Sequence, residues 1–156
     1  MRKLIIEQDI LVTRGNATIS DESGEVVYTI RKSSGQEPVY EICQADSGIA
    51  KIIQEGSKFH PVYTIYVDDA SVGSIKVGST HDQEYIIECK NLRIAGNCWG
   101  DEFEMFYDDV LAGKISKESA ATSYQYVIEI CDSVKEKFVI AVVVAIDCVK
   151  STRRGI

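Results

Sequence analysis

Recognition of a phosphate group asks for several cations converging on one face, with backbone amides assisting. The nearest approximations in this chain are Arg31 beside Lys32, Lys90 near Arg93, and Lys114 near Lys117. Neighbours in a strand point to opposite faces, so Arg31 and Lys32 share a face only if they lie in a loop. Acids are interspersed throughout. The expected arrangement is a solvated mixed surface, on which Arg31, Lys90, Arg93, Lys114 and Lys117 are the candidates for anion contact.

The acids Asp101, Glu102, Glu104, Asp108 and Asp109 invite a calcium reading. Glu102 and Glu104 share a strand face and the aspartates fall in a turn, but no dense oxygen-ligand loop is present. Glu129, Asp132 and Glu136 read as a solvated edge and a helix start. His60 sits in a loop entering a strand and His81 in a turn, and no G-x-S-x-G elbow accompanies them. The five cysteines (Cys43, Cys89, Cys98, Cys131 and Cys148) are odd in number and widely spaced, with no C-x-x-C pair. That usage suits reduced, buried thiols in a cytosolic protein better than a disulfide framework or a zinc site. Gly-rich phosphate loops and His/Cys ligand clusters are missing from the sequence. No catalytic residue, metal site or cofactor is expected.

Composition narrows the partners. The formal charge of −7 over 156 residues argues against bulk attraction to nucleic acid or anionic membranes. The start, Met1-Arg2-Lys3-Leu4-Ile5-Ile6-Glu7, lacks the apolar core of a signal peptide. A cytoplasmic protein is expected, and the sequon at Asn16-Ala17-Thr18 reads as chance.

The elements that must position these side chains are mostly strands. Val26, Tyr28 and Ile30 alternate with Val27, Thr29 and Arg31, and the same period holds for Tyr63–Val67, Phe103–Tyr107 and Tyr124–Ile130. Acids followed by glycine recur between them: Asp21 to Gly24, Asp46 to Gly48, Asp68-Asp69 to Gly73, and Asp108-Asp109 to Gly113. Asp bonds its own backbone in turns, and Gly accepts the positive φ that hairpins demand. A further hairpin fits Tyr85–Cys89 and Leu92–Trp99 around Lys90-Asn91. The pattern is an antiparallel meander of about twelve short strands in a single domain, residues 1–156.

The tail differs. Phe138 to Ile146 (FVIAVVVAI) is apolar without interruption. Ser133-Val134-Lys135-Glu136 has the form of a capping box, which predicts a helix from Val134 to Val149, with Lys150, Arg153 and Arg154 beyond it. The Val and Ile content favours strand, but a strand apolar on both faces needs covering helices and the sequence offers no others. The run is too short to span a membrane. A helix apolar all round belongs in a core, and a barrel of about twelve strands has interior room for one. Phe138, Ile140, Val143 and Ile146 are its core residues, and Asp147 is expected to anchor the helix where it leaves the barrel.

On these residues the chain resembles the tubby C-terminal-like superfamily, and within it the small bacterial LURP-one-related branch, with phospholipid scramblases as relatives. The residues that carry the likeness are Met1–Gln8, Thr18–Tyr28, Tyr63–Tyr66, and the tail Tyr126–Ile130 with Phe138–Asp147, ending Val-Ala-Ile-Asp. The resemblance implies a twelve-stranded closed barrel around a hydrophobic C-terminal helix. It also implies a choice of roles, because tubby domains bind phosphoinositide head groups and scramblases associate with membranes and carry an acidic calcium segment. The expectation is a non-catalytic cytosolic binding module, its partner a protein or a lipid head group. The alternative is a phosphoinositide-binding or scramblase-like protein at the inner membrane surface. A carrier of apolar ligands conflicts with a barrel plugged by its own helix.

Overall fold

The computed structural model describes residues 2–7, 16–33, 39–56, 61–77, 85–98, 100, 102–119 and 124–154. His60, His81, Trp99 and Asp101 lie outside them. The period-two runs form β1 (Arg2–Glu7), β2 (Asn16–Asp21), β3 (Val26–Lys32), β4 (Val39–Gln44), β5 (Ser47–Gly56), β6 (Pro61–Val67), β7 (Ala70–Val77), β8 (Tyr85–Cys89), β9 (Leu92–Gly96), β10 (Glu102–Tyr107), β11 (Val110–Ser119) and β12 (Tyr124–Ile130). A short 3-10 turn at Ser133–Lys135 leads into one helix, α1 (Glu136–Arg154).

All twelve strands belong to one antiparallel sheet in the order β8-β7-β6-β5-β4-β3-β2-β1-β12-β11-β10-β9. The sheet curls into a nearly closed barrel, because β1 pairs with β12 along its whole length and the two end strands are consecutive in sequence. Lys90 and Asn91 join β8 to β9 as expected, but among the described residues no ladder pairs these two strands. The hairpin inferred there is therefore the seam of the barrel. Ile87 and Cys89 on β8, and Leu92 and Ile94 on β9, are only partly buried against the core. Inward residues elsewhere, such as Ile30, Ile42, Ile52 and Ile65, are fully covered.

Four hairpins carry a one-residue bulge in their second strand, at Val27, Ile49, Val72 and Ala112. A bulge adds a residue and shifts the facing of those beside it. Val26, which strict alternation would group with Tyr28 and Ile30, is accordingly 51% exposed. The Asp21–Gly24 turn is as expected, with Gly24 at φ +88°, but the other turns differ. Asp68, Asp69, Asp108, Asp109 and Ala45 take the positive φ, whereas Gly73 and Gly113 lie in strands immediately past the bulges. Asp tolerates the left-handed region better than most residues, which frees those two glycines for close packing.

The helix fills the barrel. Every residue from Phe138 to Val149 is at most 7% exposed, and Val139, Ile140, Ala141, Val142, Val144 and Ala145 are fully buried. It lies closest to β5 and β6 on one side and to β11 on the other. At Gly113 of β11 a Cβ would come within 2.9 Å of Val139 Cγ1, so that glycine sets the approach of helix to wall. Strand propensity in the run is overridden by burial: at ~1.5 kcal/mol per larger side chain the gross gain exceeds ~10 kcal/mol, against tenths of a kcal/mol per residue for propensity.

The helix start departs from the capping box. Asp132, not Ser133, is the cap, accepting from the Val134 amide at 3.1 Å. The bulged Ala112 fixes the junction, its carbonyl accepting from the amides of Cys131 (2.9 Å) and Asp132 (3.3 Å). Glu136 is engaged elsewhere: Tyr28 of β3 donates its hydroxyl to the Glu136 carboxylate, and Arg2 of β1 lies 3.6 Å away. Burial, then the Glu136 carboxylate, push the Tyr28 hydroxyl well above its ordinary range. Lys137 reaches Asp68 at 3.4 Å, Lys135 lies 4.0 Å over the Tyr107 ring, and Tyr107 meets Phe138 edge-on at 5.0 Å. The far end also differs from expectation. The helix does not leave the barrel at Asp147, which is 1% exposed and followed by buried Cys148 and Val149.

Candidate functional site

With the interior occupied by α1, concave space is on the outer wall. A cavity of about 510 Å³ lies across β9, β10, β11, β12 and β1. Its charged lining is Lys3, Glu102, Glu104, Lys114, Glu118 and Glu129, with Ser116 and Val127 between them. Alternation places these side chains outside, because their neighbours Leu4, Phe103, Met105, Ile115, Ile128 and Ile130 are buried.

Register turns the lining into rows. Glu104 lies opposite Lys114, Lys114 opposite Glu129, and Glu129 opposite Lys3, so four adjacent strands alternate in sign. Cross-strand pairs of opposite charge stabilise a sheet by ~0.2–1 kcal/mol each. In the next row Glu102 faces Ser116 and Ser116 faces Val127. Glu118 stands two residues beyond Ser116 on the same face of β11. The first row balances itself, whereas Glu102 in the second row and Glu118 in the row beyond, opposite Gln125, are exposed with no cation opposite. The lining of the groove is net acidic.

The anion-contact candidates are dispersed. Arg93 stacks its guanidinium 4.1 Å from the Phe106 ring and lies 3.6 Å from Asp109. Lys114 stands in the groove between Glu104 and Glu129, while Lys117 is on the opposite face of β11, in register with buried Tyr126. Arg31 faces Glu41 across the ladder, and Lys90 is exposed in the seam turn. Arg31 and Lys32 both lie in β3, and the Lys32 ammonium sits 5.9 Å over Tyr40.

The acids weighed as calcium ligands divide differently. Glu102, Glu104 and Glu129 line the groove, while Asp108 and Asp109 form a positive-φ turn at the opposite end of β10. Among the described residues no three His, Cys, Asp or Glu side chains gather as metal ligands. None of the five cysteines is in a disulfide. Burial is the leading cause that raises the thiol pKa at Cys43, Cys89, Cys131 and Cys148, to about 11 at Cys89. At Cys148 the neighbouring Asp147 charge adds to it. Sequence reasoning singled out neither Lys3, Ser116 nor Glu118. Their signal was present as polar positions alternating with the inward run, but only register brings five strands to one groove.

The sequence profile of the LURP-one-related family matches residues 2–147. The chain belongs to the LURP-one-related family. Among solved structures it is similar to an Arabidopsis thaliana protein, at 9% identity over 91% of this chain and 88% of that one, with a TM-score of 0.53. That likeness concerns the fold. Comparison with curated proteins finds no match. No helix among the described residues is long and apolar enough to cross a membrane.

Proposed function

We propose that this LURP-one-related protein is a non-catalytic cytosolic binding module whose ligand docks on the outer wall of its barrel. The observation that carries this reading is the helix: Phe138 to Val149 occupy the interior where a barrel would otherwise hold a ligand. The outer groove offers a concave surface outside that filled interior. The thiols support a non-catalytic role, because a nucleophilic cysteine needs a lowered pKa and burial moves these the other way. Dispersal of Arg31, Lys90, Arg93, Lys114 and Lys117 favours this reading over a phosphoinositide site, which needs convergent cations.

Co-sedimentation with phosphatidylcholine vesicles, plain or containing phosphatidylserine and a phosphoinositide, tests the choice at low salt. The expected result is no more pelleting with anionic than with neutral vesicles. Pelleting that depends on the anionic lipid would replace this reading with one of membrane association.

A further inference from the structure

We infer that the outer groove takes an extended basic segment of a partner protein; this rests on the outer-wall reading above and adds the chemistry of the ligand. Among the described residues, Lys3, Glu102, Glu104, Lys114, Glu118 and Glu129 close no ion pair with one another. Four carboxylates against two ammoniums leave the lining net negative, so it selects a net positive occupant.

The position of the excess gives the seat. Glu102 lies opposite Ser116, and Glu118 follows it by two residues on the same face. A guanidinium or ammonium over Ser116 has both carboxylates within reach and the hydroxyl oxygen as a further acceptor. Val127, opposite Ser116 on the other side, lies under the methylene stem. The two lysines decide between kinds of cation. Lys3 and Lys114 repel a ligand that is charged along its whole length, but donate to carbonyl oxygens, which a peptide backbone supplies. Five strands at about 4.8 Å spacing span roughly 19 Å, the length of about six extended residues. Alternate side chains of such a segment face the wall, so two or three basic residues meet the groove.

The test is backbone-amide NMR of the full chain at low salt. The probes are a capped hexapeptide alternating arginine with glycine, its glutamine-for-arginine counterpart, spermine, and inositol hexakisphosphate. The arginine peptide is expected to move the amides of Ser116, Val127 and Glu129 in a saturable way. Glu102→Gln with Glu118→Gln, both at exposed positions, should weaken it about tenfold, while Glu22→Gln in the β2–β3 turn leaves it unchanged. Absence of groove shifts with the arginine peptide overturns the inference, as does equal binding of the glutamine peptide. Spermine binding as tightly assigns the groove to polyamines instead. Inositol hexakisphosphate moving the same amides while the peptide does not would keep the outer-wall reading and remove the basic-ligand one. Shifts confined to α1 would remove both.

Discussion

Single residues set how closely barrel and helix fit, and Gly113 is the sharpest case. Its missing side chain leaves room for Val139, and a Cβ there would meet a stiff, β-branched neighbour at 2.9 Å. Gly113→Ala is expected to lower stability by about 1–3 kcal/mol through overpacking. Gly48→Ala, whose Cβ would find only the Glu41 side chain at 3.6 Å, should change it little; urea midpoints of the two variants make the comparison. Titration gives a second expectation. The Cys89 thiol is held at about 11, above its ordinary 9.0, so its protonated form is favoured by folding. Its contribution is complete below pH 9 and declines as pH rises towards 11. Tyr28, raised by burial and by Glu136, declines in the same direction from pH 10 upward. Asp21 acts oppositely: Ser23 and the Glu25 amide lower its pKa, so its small contribution is present above its ordinary 3.8 and lost as pH falls. Equilibrium unfolding across pH 8–11 should show falling stability, less steep in Cys89→Ala.

At the scale of elements, much of the architecture was legible. Alternation in Tyr63–Val67 or Phe103–Tyr107 is a local property, and so is the run from Phe138 to Ile146. The helix was recoverable from that run because a barrel supplies the only covering such a segment could have. Features that depend on distant partners were not recoverable. Glu136 looked like the second half of a capping box, yet its carboxylate is taken by Tyr28, 108 residues upstream, and the cap passes to Asp132. Bulges at Val27, Ile49, Val72 and Ala112 leave no composition signal, so simple alternation does not show that Val26 parts from Tyr28 and Ile30. The groove was hidden for the same reason, since Lys3 and Glu118 meet one cavity only through the registers of β1 with β12 and β12 with β11. The helix itself makes a plain prediction. Val143 is 2% exposed, so Val143→Asp buries a charge and should abolish soluble folding. A soluble variant with an unchanged melting profile would contradict the core role of α1.

For the whole molecule, the consequence is a division between inside and outside. The sheet closes through β1 and β12, shows no ladder between β8 and β9 among the described residues, and encloses a helix held at its entrance by Glu136, Lys137, Lys135 and Phe138. An interior filled this way leaves the outer wall for the recognition proposed above, and there Glu102 and Glu118 stand without a cation opposite. Both depend on α1 being a permanent core element and not a segment that opens. Native-state hydrogen exchange measures this most directly. The amides of Val139 to Ala145 should exchange only through global unfolding, with the same free energy as those of Ile52, Ile65 and Ile128. Helix amides exchanging about a hundredfold faster while the strand amides stay protected would mean that the helix opens alone, and would contradict the account.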